Sequence, residues 1–178
     1  IFLDGEILPK LLSDKLLEFV DGNIDTDPLI RFWNHLKRNP SEESRKDLYD
    51  FLYHNHVSIT PDGCFVGYKR ISEDFKDLRT RTIDNSPGQT VVMDRAKVDA
   101  DRNRTCSSGL HVAAFEYADK FYPNGILVDV KVNPEDVVAV PTDYNQQKMR
   151  VCAYTVLREC AGERVDEVLY ADDPYDQS

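Results

Sequence analysis

Apolar residues first recur at helical spacing. From Leu8 to Val20, the positions Leu11, Leu12, Leu16, Phe19 and Val20 form one stripe, and Asp21-Gly22-Asn23 supplies a stop. A short strand and turn around Asp4-Gly5 is expected before it. Asp27-Pro28 opens a second predicted helix, because proline is tolerated in a first turn, and Leu29, Phe32, Trp33 and Leu36 share its buried face. Phe32 and Trp33 are both expected to be mostly buried between the helices and the rest of the chain. Asn39-Pro40 closes that helix. Ser41 then caps a third, with Ser44 standing where a glutamate would complete a capping box. This helix runs to about Tyr53 and buries Leu48, Phe51 and Leu52.

After His56 the period falls toward two. Val57 to Thr60, the turn Pro61-Asp62-Gly63 and Cys64 to Lys69 predict a β-hairpin. A turn cluster at Asp84 to Gly88 precedes a strand through Thr90 to Met93, and Asp99 to Arg104 is a polar loop. Ala113 to Phe121 has a helical face of Ala114, Tyr117, Ala118 and Phe121. Further strands are predicted at Ile126 to Val132, Val137 to Val140 and, as one long element, Met149 to Leu157. The fold class is therefore α+β: a three-helix segment over 1–55, then a mostly antiparallel sheet with one packed helix over 56–170. The two are expected to form one compact unit, with a frayed acidic tail at 171–178.

Charge narrows the function classes. The 178 residues carry 32 acidic and 22 basic side chains, for a net charge of −10. Such a body repels duplex nucleic acid and anionic membranes, and its basic residues are scattered, so nucleic-acid binding is not expected. A protein partner or a small ligand fits better. Cys64, Cys106, Cys152 and Cys160 contain no C-x-x-C pair, which argues against a zinc knuckle or a disulfide scaffold. No metal or cofactor is expected, and a reducing cytoplasm suits four free thiols. No apolar run approaches the length of a membrane span, and no signal peptide opens the chain. The chain starts at Ile1 rather than Met, so a preceding region is expected.

Several strings occur together and in order. They are Phe32-Trp33-x-x-Leu36-x-x-Asn39-Pro40-Ser41, Leu48-Tyr49-Asp50-Phe51-Leu52, Ile59-Thr60-x-Asp62-Gly63-x-Phe65 and Tyr68-Lys69. Asp84-Asn85-Ser86-Pro87-Gly88, Thr105-Cys106-Ser107-x-Gly109-Leu110-His111-Val112 and Asp143-Tyr144-Asn145-x-x-Lys148-Met149-Arg150 follow. Across residues 28 to 158 this ordered set resembles the C-terminal part of the tailed-phage rIIB family. The resemblance implies an early phage accessory factor tied to lysis timing and to escape from prophage-encoded exclusion. It also implies a host-cell cytoplasmic protein that works with a larger rIIA-like partner, peripheral to the inner membrane. T-even relatives begin with a helix-turn-helix-like segment; nothing in this chain matches it, so DNA binding is not carried over.

Candidate chemistry lies in four places. Cys106 and His111, five residues apart across Gly109, would make a nucleophilic pair if the side chains came within hydrogen-bond reach. Alternatively, Cys106 is buried and His111 fixes the loop through a backbone carbonyl. Asp143, Tyr144, Asn145, Lys148 and Arg150 would grip a phosphate or ribose, or would form a salt-bridged turn in which Asp143 pairs with Arg150. Asn85 and Ser86, before Pro87-Gly88, offer an anion-binding nest or a plain turn. Tyr68 and Lys69 alternate on a strand, so one of them faces any pocket. Gly109-Leu110-His111, then Tyr117-Ala118 and an alternating strand, also resembles ADP-ribosyltransferase-like folds, where a histidine holds a nicotinamide-nucleotide ribose. Glu159 and Glu163 are the candidates by default for the glutamate that fold would require.

The reading that follows is a non-enzymatic accessory domain acting by binding, to an rIIA-like protein and to a host or prophage defence factor. The alternatives are a binder of an anionic, nucleotide-derived defence signal and a transferase using the same His111 and Arg150 pocket.

Overall fold

The structure is a computed structural model that describes residues 2–3, 5–55, 57–120, 124–141, 147–160 and 162. Strands β1 (Phe2–Leu3) and β2 (Glu6–Ile7) pair antiparallel ahead of three helices: α1 (Lys10–Asp21), α2 (Asp27–Lys37) and α3 (Glu42–His54). Pro28 sits in the first turn of α2 beside Asp27, whose charge favours a helix N-terminus. The Ser41 hydroxyl accepts from the Ser44 backbone N–H at 3.1 Å and caps α3. Along α1, Leu12 and Phe19 are buried, but Val20 is 62% exposed. It stands about 100° around the helix from Phe19 and so leaves the buried stripe to which the sequence assigned it. Phe32 is buried whereas Trp33 is only partly so.

The sheet contains β3 (Phe65–Ile71), β4 (Thr90–Val92), β5 (Leu110–Ala113), β6 (Ile126–Val132), β7 (Val137–Ala139), β8 (Lys148–Val151) and β9 (Ala153–Glu159). Its order is β4-β9-β6-β3-β5-β8-β7, and every pairing is antiparallel. Helix α4 (Phe115–Lys120) follows β5. The chain is thus α+β with the helices first. Three elements differ from expectation. Leu110–Ala113 forms strand β5, although the helical spacing predicts that Ala113 opens the helix that follows. The first arm of the 57–69 hairpin contracts to a single bridge, Ile59 to Phe65. The predicted strand through Met149 to Leu157 breaks at Cys152 into β8 and β9.

That break shapes the sheet. β8 and β9 lie on opposite sides of β6, β3 and β5 in the order, yet one residue joins them. Val151 and Ala153 are two Cα steps apart, about 7 Å at most. The sheet must therefore curl until its two ends meet at Cys152, a corner of the kind made where a strand bends from one sheet layer to another. The corner is hydrogen-bonded: Cys152 N–H donates to Asp136 O at 2.9 Å, and Met93 N–H donates to Cys152 O at 2.8 Å. An apolar run cannot announce such a corner, because Val151, Cys152 and Tyr154 around it are all buried.

Strand alternation sorts the side chains. Phe65, Ile71, Val112, Val128, Val130, Val132, Met149, Val151 and Val156 face one core, and α1 to α3 add Leu12, Phe19, Leu29, Phe32, Leu36, Leu48 and Phe51 to it. Each fully buried aliphatic side chain contributes about 1.5–3 kcal/mol. On the other sheet face α4 lays Ala118 over Val66, Tyr68, Ala113, Leu127 and Leu157. Asn39 ties helices to sheet. Its amide donates to Pro134 O at 3.0 Å and Val137 O at 2.8 Å, while its oxygen accepts from Ser41 N and Arg95 Nη2 at 3.0 Å each.

Candidate functional site

His111 and Arg150 are brought together: they stand opposite each other in the β5–β8 register. Arg150 is completely buried. Its guanidinium donates from Nε to Asp99 O at 2.8 Å, from Nη1 to Arg104 O at 2.7 Å and from Nη2 to Asp101 O at 2.6 Å. Among the described residues no carboxylate lies within ion-pair distance of it, so carbonyl dipoles hold the charge. The fork geometry of arginine meets three oxygens at once. A Cβ on Gly109 would lie 3.1 Å from Arg150 Cδ and 2.8 Å from Val98 Cγ1, at a φ of +150°. Glycine there leaves room for the clamp.

The clamped loop is itself ordered by short-range bonds. Asp99 accepts from Asp101 N–H at 2.9 Å and Ser107 Oγ at 2.5 Å, and Asp101 accepts from Asn103 N–H at 2.9 Å. The Ser107 hydrogen bond, then that from the Asp101 backbone, hold the Asp99 carboxyl down to about 2. Cys106 in this loop is exposed. Among the described residues no hydrogen bond joins it to His111.

Lys69 occupies a gap in the sheet. β3 and β5 pair at Tyr68 and Ala113, and one step on the Lys69 ammonium donates to His111 O at 2.7 Å. The same ammonium stands 5.5 Å from the centre of the Tyr154 ring. Burial pushes its pKa down to about 8, opposed by the Asp77 charge. Burial and the nearby Lys69, Arg150, Lys148 and Arg79 charges lower His111 to about 4. The imidazole is therefore neutral at pH 7. Tyr68 points to the α4 side and packs edge-on against Phe115, ring centroids 5.3 Å apart. Lys148 is buried with its ammonium 5.7 Å from the Tyr117 ring centre.

Asn85 and Ser86 lie elsewhere. Asn85 is fully buried; Tyr154 Oη donates to its side-chain oxygen, and its backbone N–H donates to Phe75 O at 2.8 Å. Ser86 folds back on Asp84, which accepts from its N–H at 2.9 Å and from its hydroxyl at 2.5 Å. The Tyr154–Asn85 bond pins the 72–88 segment to the sheet, and the Ser86 bonds order the segment internally. Asp143, Tyr144 and Asn145 lie outside the described residues, as does Glu163, while Glu159 is exposed at the end of β9.

A different surface carries an open groove. α2 and the Pro61-Asp62 turn enclose an open groove of about 470 Å³, lined by Arg31, Asn34, His35, Arg38, Pro61 and Asp62. The i, i+3, i+4, i+7 spacing of Arg31, Asn34, His35 and Arg38 along α2 and its C-cap was the signal for it. On sequence alone it reads as an ordinary solvated helix face.

Comparison with known proteins bears on the whole of this architecture. The family model described as bacteriophage T4 protein rIIB matches residues 4–165. The chain belongs to the bacteriophage T4 rIIB family. Protein rIIB of Enterobacteria phage T4 is 39% identical over 160 residues, covering 89% of this chain and 51% of that protein. The chain thus spans about half the length of the curated relative it matches. No solved structure matches it. The rIIB-family match runs from ahead of β2 to past β9, so it takes in the Arg150 clamp, the Lys69 contact and the α2 groove. Among the described residues no helix is long and apolar enough to cross a membrane.

Proposed function

We propose that this rIIB-family chain is a non-enzymatic phage accessory module that controls lysis timing and exclusion by binding proteins. An rIIA-like phage protein is the first partner, and a host or prophage defence factor a second. It works in the host cytoplasm and reaches the inner membrane through its partner. The observation that carries this reading is the state of Arg150. A binder of a nucleotide-derived signal, or an ADP-ribosyltransferase-like enzyme, would turn that guanidinium toward a phosphate. Instead three of its nitrogens are engaged by the carbonyls of Asp99, Asp101 and Arg104 in a fully buried position. His111, neutral and under a positive field, is poorly suited to proton transfer near pH 7.

The test is co-purification of the tagged chain with the rIIA-like protein encoded by the same phage. A stoichiometric complex that survives gel filtration is expected. Loss of that complex, together with release of a tightly held nucleotide from the purified chain, would favour the ligand-binding alternative.

A further inference from the structure

We propose that the groove between α2 and the Pro61–Gly63 turn is a docking site for an acidic segment of a protein partner. The proposal rests on the protein-binding reading above and gives it a location and a chemistry. Two guanidinium groups, Arg31 and Arg38, line the groove at positions two turns apart, about 10 Å along the helix axis. Neither has a carboxylate within ion-pair distance among the described residues. Arg31 Nη1 donates to Pro61 O at 2.9 Å, and Arg38 Nη1 to His35 Nδ1 at 3.2 Å. With Nδ1 accepting, His35 donates through Nε2 to Asp62 O at 2.9 Å. Both arginines are therefore oriented by neutral acceptors and keep their charge and most of their N–H donors for something else.

The groove's own carboxylate is already matched. Asp62 accepts from Lys131 Nζ at 2.9 Å and from the Thr60 hydroxyl. Burial alone would raise its pKa, but these hydrogen bonds and the Lys131 charge hold it below the usual range. Two uncompensated cations thus converge on a cavity in a chain whose net charge is −10. The chain's overall field repels an acidic partner at long range, so attraction must be local, within a Debye length of about 8 Å at physiological salt. That makes the groove selective for carboxylates placed to reach both arginines.

Shape selects the class of ligand. No phenylalanine, tyrosine or tryptophan ring lines the cavity, and the one imidazole there, His35, is engaged at both ring nitrogens by Arg38 and the Asp62 carbonyl. An extended peptide advances about 3.3 Å per residue, so carboxylates three residues apart match the rise between the two arginine positions on the helix. Preset arginines lower the ordering cost of binding. Gly63 sets the frame: at its φ of +84° a Cβ would lie 2.5 Å from Arg31 Cβ and 2.6 Å from Phe32 N. The turn can approach α2 this closely only because that Cβ is missing.

The experiment is fluorescence anisotropy of a dye-labelled, end-capped oligo-aspartate peptide titrated with the intact chain at low ionic strength. Saturable binding is expected, weakened at least about tenfold by Arg31→Glu with Arg38→Glu. The charge-matched control Lys46→Glu with Lys97→Glu, on exposed lysines away from the groove, should weaken it far less. If the glutamate pair fails to fold, Arg31→Gln with Arg38→Gln replaces it, and an unchanged melting curve certifies either pair. No saturable binding, or equal weakening by the control, overturns the proposal. So does full displacement of the peptide by inorganic phosphate at matched ionic strength, which would mark a small-anion site. Peptide binding that persists when co-purification with the rIIA-like protein fails would keep the groove and remove only that partner.

Discussion

Arg150 and Asp99, 51 residues apart in sequence, are joined by a 2.8 Å hydrogen bond from the guanidinium Nε to the Asp99 carbonyl. With the bonds to Asp101 and Arg104 it makes one buried side chain the anchor of an entire surface loop. Arg150→Met should therefore cost about 3 kcal/mol or more, since three buried carbonyls lose their donors together. Arg150→Lys should recover less than half of this, because an ammonium cannot meet three diverging acceptors. Denaturant unfolding without any ligand reads the loss, and hydrogen exchange should rise first in residues 99–108. A melting temperature unchanged in Arg150→Met would mean the clamp is dispensable.

The helical front was readable because its signals are local. Pro28, Ser41 and the apolar spacing each act within one or two turns, and the structure places α2 and the α3 cap where they predict. Arg150 was not readable as a loop anchor. Its acceptors are backbone carbonyls 46 to 51 residues away, and carbonyls leave no trace in side-chain identity. Sequence proximity offered Asp143 as its partner, and Asp143 lies outside the described residues. The same limit hid the Cys152 corner and the role of Lys69, whose acceptor is the His111 carbonyl. The α2 groove needed the 61–63 turn to be folded against the helix before four polar residues became a lining.

His111 gives the fold an acid-sensitive point. Its folded pKa of about 4 lies below its ordinary 6.5, so between these values the unfolded chain binds the proton that the folded one refuses. Stability is thus full above pH 6.5 and declines as pH falls toward 4. The contribution is about 1–3 kcal/mol for a half-buried imidazole. His111→Gln should flatten that part of the pH profile in urea titrations. A variant whose stability falls as steeply as the parent's between pH 6.5 and 4 would rule out this imidazole as the cause.

Lys69 predicts the opposite end of the scale. With a folded pKa near 8 against 10.5, both states are protonated below pH 8, and the folded state sheds its proton first as pH rises. The stability difference between the parent and Lys69→Met should therefore shift in the parent's favour from pH 8 to 10.5. Comparison with the variant is needed because buried Tyr49, Tyr154 and Cys64, whose pKa values burial raises, push stability the other way at high pH. A difference that stays flat across this window would show that the ammonium is solvated rather than lodged between β3 and β5.

Tyr154 and Asn85 supply the last test, because one hydrogen bond there joins the sheet to the 72–88 segment. Tyr154 Oη donates to the Asn85 side-chain oxygen, and both residues are buried. The Asn85 amide nitrogen donates to Ile83 O at 3.2 Å, so the contact closes a short network rather than ending on solvent. Tyr154→Phe keeps the ring under the Lys69 ammonium and removes only the hydroxyl. It leaves the Asn85 oxygen buried without that donor, at a cost of about 1–3 kcal/mol. Asn85→Ala removes the acceptor and opens a small void, so its cost should be similar or larger. If the two groups act through each other, the double variant should lose less than the sum of the single changes. Strict additivity in a double-mutant cycle would mean the bond contributes nothing, and the segment would then be held by its backbone contacts alone, such as Gly88 N–H to Val156 O at 2.8 Å.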